Sequence, residues 1–156
     1  MRHILFILLI GLAFCQKLLI PMDVVQTDHL KAYGIAFSTL EQNQNVDWLL
    51  NYRGGSFMID ANMRTQQECT IKGVYFELIN AGGLSQIYAS IEENNMDVVL
   101  LEKLPKIAVY SPDDKQPWDD AVTLALTYAE IEYETVFDEE VLTSKLKEYD
   151  WLHLHH

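Results

Sequence analysis

The chain has 156 residues, of which 49% are hydrophobic and 22% are charged, and its formal net charge is −12. This is an ordinary globular composition, sufficient to build a core in one or two domains. An acidic surface of this kind repels phosphate backbones, so nucleic acid is not a favoured partner. The simplest role of the negative charge is to keep the protein soluble.

The first 15 residues predict a secretory signal peptide. An apolar run of 11 residues, Ile4 to Phe14, follows a short basic start, and it is shorter than the roughly 20 residues that a membrane span needs. Ala13 and Cys15 place small side chains before a cut ahead of Gln16. Lipidation of Cys15 and a buried N-terminal strand are the alternatives. We therefore expect an exported protein, periplasmic or secreted, with no transmembrane anchor after cleavage.

Cys69 is the remaining thiol if Cys15 leaves with the signal peptide. One thiol builds no internal disulfide framework. Because the sequence places no histidine or other base beside it, a buried structural thiol is favoured over a nucleophile.

Residues 16–104 predict a small α+β part. The pattern indicates an extended stretch at 17–25, then a helix at 28–42 capped by Thr27, and then strands at 46–52 and 56–59. A helix at 63–72 closed by Gly73 and a strand at 74–79 follow. After a break at Gly82 and Gly83, the pattern indicates a helix at 85–95 capped by Ser85 and an apolar strand or turn-rich segment at 97–101. Arg53, Gly54 and Gly55 predict a hairpin turn. A phosphate-cradling loop is the alternative, although the lysine of a P-loop is missing.

After a boundary near Leu104 and Pro105, residues 105–156 follow a β-α-β-α-β pattern. Strands are predicted at 106–110, 133–137 and 150–155, with helices from about Pro117 and over 139–147, the second capped by Asp138. Right-handed crossovers make such strands parallel, which predicts the start of a flavodoxin-like α/β sheet. Because three strands leave an open edge, we expect a piece of a longer protein. The alternative takes His155 and His156 as a tag remnant.

Polar side chains follow the first strand of this predicted sheet and lie at the carboxyl end of the third. The candidate ligand-binding residues are Ser111, Asp113, Asp114, His153, His155 and His156. In a flavodoxin-like order these two strands are neighbours, so the side chains would share one crevice at the carboxyl edge. His153 and His155 also have a metal-ligand spacing, and the crevice suits a metal or a small polar ligand. A solvated loop and a core histidine are the alternatives, and no cofactor is indicated.

Several stretches carry a family resemblance: LKAYGIAF, VDWLLNYRGGSFMID, KIAVYSPDDKQPWDDAVTLALTYAEI and YDWLHLHH. With them, nearly all of the chain after the signal peptide resembles a group of exported bacterial proteins labelled asparagine synthetase B. The resemblance implies a longer protein whose rear half is similar to class I glutamine amidotransferase-like domains. It also implies that the cysteine nucleophile and histidine base come later in the chain than His156, so that this piece alone is inactive.

The residues depart from the motifs of glutamine-hydrolysing asparagine synthetases. Those enzymes resemble a different pattern, with a cysteine at the mature N-terminus and a Ser-Gly-Gly-x-Asp-Ser loop for ATP. Here cleavage exposes Gln16, and the Arg53 to Ser56 loop is followed by Phe57 without the aspartate. Two candidate functions therefore stay open: an enzyme of the amidotransferase-like fold, and a non-catalytic exported binding module for a polar ligand or cell-surface partner.

Overall fold

The computed structural model describes residues 16–111 and 121–154. The front part contains β1 (Lys17–Ile20), α1 (His29–Glu41), β2 (Val46–Leu50), β3 (Ser56–Asp60), α2 (Met63–Lys72), β4 (Glu77–Ile79), α3 (Ala81–Glu93) and β5 (Asp97–Leu101). The rear part contains β6 (Ile107–Tyr110), α4 (Ala121–Ala129), β7 (Glu134–Val136), α5 (Asp138–Leu142) and β8 (Trp151–Leu154). The architecture is thus mixed, with helices packed around two sheets.

The front part is built on a five-stranded sheet with the order β4-β1-β3-β2-β5, in which each neighbouring pair is antiparallel. Successive side chains of a strand point to opposite faces. Along β1, Leu18 therefore packs with Ile35 of α1 and Cys69 of α2, whereas Leu19 packs with Ile87 of α3. Helices cover both faces, which explains why β1 reads as a continuous apolar run.

Two helix starts differ from the sequence prediction. The side chain of Asp28, and not that of Thr27, caps α1 by accepting a hydrogen bond of 2.9 Å from the backbone N–H of Lys31. Asn80 caps α3 in the same way, accepting at 2.9 Å from the backbone N–H of Gly83. The predicted break at Gly82 and Gly83 and the predicted cap at Ser85 are therefore wrong, because the asparagine carbonyl starts the helix four residues earlier.

The second predicted helix of the rear part is also shorter than expected. It begins at Asp138, after an N-cap at Phe137, and ends at Leu142. The backbone N–H of Phe137 donates to the carboxylate of Glu140 at 2.9 Å. Ser144 then has a left-handed φ of 65° and leads into a 3₁₀ turn at Lys145–Glu148, so the predicted cap at Asp138 and a helix continuing to 147 are wrong. The predicted start of α4 near Pro117 lies outside the described residues.

The rear part is built on a three-stranded parallel sheet with the order β7-β6-β8. The predictions that these strands are parallel and that the first and third are neighbours are both confirmed. Ile107 and Val109 pack with Leu126 of α4 on one face. On the other face, the Tyr110 hydroxyl donates at 2.7 Å to Asp138, the first residue of α5. The two helices thus approach the sheet from opposite sides.

Helix α1 joins the two parts. Phe37, near its C-terminal end, belongs to the core cluster of the parallel sheet. A Cβ built on Gly34 would lie 1.9 Å from the carbonyl oxygen of Ala129, so the backbones of α1 and α4 cross at a distance that only glycine permits. Tyr128 of α4 donates a hydrogen bond to Asp28. The front and rear parts are therefore in direct contact along α1.

Candidate functional site

The predicted site lies at the carboxyl edge of the parallel sheet, and two of its residues are described. The backbone N–H of Ser111 donates to the carbonyl of Val136 at 2.9 Å, which fixes the chain just after β6. His153 is half-buried on β8, in register with Val109. Because Tyr110 is in register with Leu154, the carboxyl ends of β6 and β8 lie side by side in the sheet.

The other predicted site residues, Asp113, Asp114, His155 and His156, lie outside the described residues. The proposed metal pair of His153 and His155 therefore stays a prediction. Within residues 16–111 and 121–154, no three His, Cys, Asp or Glu side chains converge closely enough to hold a metal ion.

The Arg53 to Gly55 turn is a structural hairpin between β2 and β3. The Arg53 guanidinium is paired with Asp23 at 2.7 Å and with Glu77 at 2.8 Å. The hydrogen bond to Asp23, with help from Glu77, raises the pKa of Arg53 against the effect of burial. The positive charge of Arg53 is thus neutralised within the fold. The geometry therefore supports a hairpin turn rather than a phosphate-binding loop.

Cys69 is fully buried in the core between α2 and the five-stranded sheet. Burial, reinforced by the nearby carboxylate of Glu68, raises the pKa of this thiol to about 12. The thiolate is the nucleophilic form of cysteine. Cys69 is therefore buried, as the sequence predicts, and its thiol is protonated at neutral pH.

A cleft of about 700 Å³ lies at the junction of the two parts, at the amino edge of β6 and β7. Six side chains give it an apolar floor: Phe37, Leu104, Pro105, Ile107, Ile131 and Tyr133. Its charged and polar lining comprises Glu41, Lys106, Thr127, Glu130, Glu132 and Glu134. The cleft therefore joins an apolar interior to a rim in which four carboxylates outnumber one ammonium group.

Two of the rim carboxylates are engaged by the fold. Glu130 forms ion pairs with Lys31 at 2.6 Å and with Lys72 at 3.0 Å, and hydrogen bonds from these two lysines hold its pKa below the ordinary value. Glu134 accepts a hydrogen bond of 2.5 Å from the Tyr149 hydroxyl. That bond is the main cause of its lowered pKa. Both side chains are therefore ionised and held in place at neutral pH.

The other two rim carboxylates, Glu41 and Glu132, are exposed and line the same cleft. Among the described residues, neither has a hydrogen-bond or ion-pair partner. Glu41 and Glu130 also border a second hollow of about 580 Å³ between α1 and α2. An apolar pocket with a few convergent polar groups is the usual form of a small-molecule site, and unpaired carboxylates at its mouth favour a cation.

Sequence reasoning missed this cleft. Its walls come from the end of α1, from the segment between β5 and β6, and from the residues between α4 and β7, which lie up to 97 positions apart along the chain, from Phe37 to Glu134. No local motif marks these residues. The one signal in the sequence is the excess of glutamate at 130–134, and such a run of acidic residues is typical of a solvent-exposed surface rather than of a binding site.

No helix in residues 16–111 and 121–154 has the length and apolar character that crossing a membrane requires. Comparison with known proteins gives no further guide. No family model matches the chain, no curated protein matches it, and no solved structure matches it.

Proposed function

We propose that this chain is a binding module of an exported protein and that its junction cleft takes a small organic cation with an apolar body. The main support for this proposal is that one cleft of about 700 Å³ combines an apolar floor with two carboxylates that have no partner within the described part of the chain, those of Glu41 and Glu132. A net charge of −12 raises the local concentration of cations around the whole molecule. The proposal of export rests on the apolar run at the N-terminus, with its short basic start.

We also propose that the rear part is the beginning of a flavodoxin-like sheet, as the resemblance to the exported family labelled asparagine synthetase B implies. The support is the β7-β6-β8 order, with all strands parallel. The positions of Leu126 in α4 and Asp138 in α5 on opposite faces add to it, because doubly wound sheets carry helices on both sides.

An enzyme of the amidotransferase-like fold is the second candidate, favoured by the same strand order. Such an enzyme needs an activated thiol or hydroxyl beside a base. Within the described residues Cys69 does not supply one, because its thiol is buried and its pKa is raised to about 12, and the family resemblance places the nucleophile and its base later in the chain than His156. The junction cleft offers carboxylates, apolar surface and the mutually hydrogen-bonded hydroxyls of Thr127 and Tyr133, but no cysteine, serine or histidine. Binding is therefore the function that the described geometry supports better.

Calorimetric titration with three probes tests the binding proposal. We expect the phenethylammonium ion to bind with a dissociation constant on the order of 1 mM, since nine non-hydrogen atoms that contribute about 0.45 kcal/mol each, as small ligands do, supply about 4.1 kcal/mol. Phenylacetate has a similar apolar body and the opposite charge, and ethylammonium has the charge without the ring. Both are expected to bind at least about tenfold more weakly, the first through repulsion and the second through lost apolar contact.

The matched variants are Glu41→Gln, Glu132→Gln and Glu102→Gln. The first two remove one rim charge each and are expected to weaken phenethylammonium binding by about two- to fivefold. Glu102 is also exposed but lies outside the cleft, and its substitution is expected to leave the affinity unchanged. Equal binding of phenylacetate, or equal effects of all three substitutions, would contradict a cation site in this cleft.

A further inference from the structure

The five-stranded sheet has two edges that differ in protection. At one edge, β4 is three residues long, and its Glu77 is held in an ion pair with Arg53. At the other edge, β5 is five residues long and is hydrogen-bonded to β2 alone among the described strands. Natural sheets protect their edges with short strands, charges or covering segments. The edge at β4 has the first two of these protections, and the edge at β5 lacks them along its apolar centre.

The apolar centre of β5 is open to solvent on both faces. Val98, Val99 and Leu100 are 38%, 39% and 50% exposed. Val98 and Leu100 lie on the α3 side, in register with Leu49 and Asp47, whereas Val99 is in register with Trp48 on the α1 side. An exposed apolar strand with a free row of backbone N–H and C=O groups is a template for another strand.

We propose that β5 pairs with β5 of a second copy of this chain, antiparallel and with the two-fold axis at Leu100. β5 ends at Leu101, and continuing it by two residues in the paired form places Asp97 of each copy opposite Lys103 of the other, an opposite-charge pair at each end of the new ladder. Leu100 of each copy then faces Leu100 of the other and Val99 faces Leu101, whereas Val98 faces Glu102. The two five-stranded sheets then join into one sheet across the interface.

Charge complementarity selects both the partner and the register. The residues that flank the apolar run are Asp97 before it and Glu102 and Lys103 after it. A two-fold axis at Val99 would instead place Asp97 opposite Leu101 and would leave the lysine without a partner across the interface. Opposite charges facing each other across strands are stabilising and like charges are destabilising. The chain is thus self-complementary at this edge in one particular register.

Analytical ultracentrifugation of the purified protein tests the pairing. We expect a monomer–dimer equilibrium with a dissociation constant of roughly 10–100 µM, because an interface of one strand pair is at the small end of specific interfaces. Leu100→Lys puts two ammonium groups on the two-fold axis and is expected to abolish dimers. Leu78→Lys is the matched control, since Leu78 lies in the other edge strand and is 48% exposed. We expect it to leave the equilibrium unchanged.

A charge exchange tests the register. Asp97→Lys and Lys103→Asp each turn two attractive pairs into repulsive ones, and each is expected to weaken dimerisation by about tenfold. The double variant carries both substitutions, restores two attractive pairs per dimer and is expected to recover the affinity of the original chain. A protein that stays monomeric up to about 500 µM, several times the expected constant, would overturn the proposal. Failure of the double variant to recover affinity, or equal loss with Leu78→Lys, would also overturn it.

Discussion

Replacing Gly34 by alanine is expected to destabilise the protein by about 2–4 kcal/mol, the upper range for an overpacked contact. The new Cβ would lie 1.9 Å from the carbonyl oxygen of Ala129 and 3.0 Å from its carbonyl carbon. Both are backbone atoms, so no side chain can rotate out of the way, and α1 and α4 must separate. Urea unfolding measures the loss as a lower midpoint at an unchanged slope.

Gly82→Ala is the matched control for this substitution. Gly82 is also helical, but the nearest atom to its built Cβ is the side-chain oxygen of Asn80 at 3.4 Å, an ordinary contact. Alanine is a better helix former than glycine by about 1 kcal/mol, so this variant is expected to be neutral or slightly stabilised. If Gly34→Ala behaves in the same way as Gly82→Ala, the close crossing of α1 and α4 is wrong.

Truncating Leu18 to alanine is expected to cost about 3–5 kcal/mol, the sum of lost apolar burial and an unfilled cavity. Leu18 is fully buried in the central region of the front sheet. It lies on the face that packs beneath α1 and α2, where neighbours from three elements would have to collapse inward to fill the space. Chemical denaturation gives the free energy of unfolding directly.

Leu78→Ala is the control for the second substitution. Leu78 is the register partner of Leu18 on β4 and is 48% exposed at the sheet edge. Because half of its surface already meets water, its truncation is expected to cost less than about 1 kcal/mol. Similar losses for the two leucines would contradict the described burial of β1.

The sequence predicts those elements of the fold that rest on local rules. Gly73 ends α2 in a left-handed conformation with a φ of 70°, as the glycine signal indicates. The parallel order of β6, β7 and β8 follows from the crossover rule for β-α-β units. The start of α3 could not be predicted in the same way, because the two glycines read as a break. The cap supplied by Asn80 outweighs them.

Non-local pairing explains what the sequence leaves open. The apolar run of β5 reads as a strand or a turn-rich segment, and nothing within it indicates that it lies at a sheet edge beside β2. The junction cleft combines Phe37 of α1 with Tyr133 before β7. These residues meet because Gly34 lets α1 approach α4, a consequence of packing that no sequence period encodes. Of the site residues predicted at the carboxyl edge of the parallel sheet, Ser111 and His153 are described by the structure.

The most direct test of the cation site is an NMR titration of the ¹⁵N-labelled protein with phenethylammonium. A site in the junction cleft predicts amide shifts that saturate together and concentrate at residues 104–107 and 130–134 and at the end of α1 near Phe37 and Glu41. Shifts that concentrate instead around Ser111 and His153 would move the site to the carboxyl edge of the parallel sheet. That result, or the absence of saturable shifts, would contradict cation binding in the junction cleft.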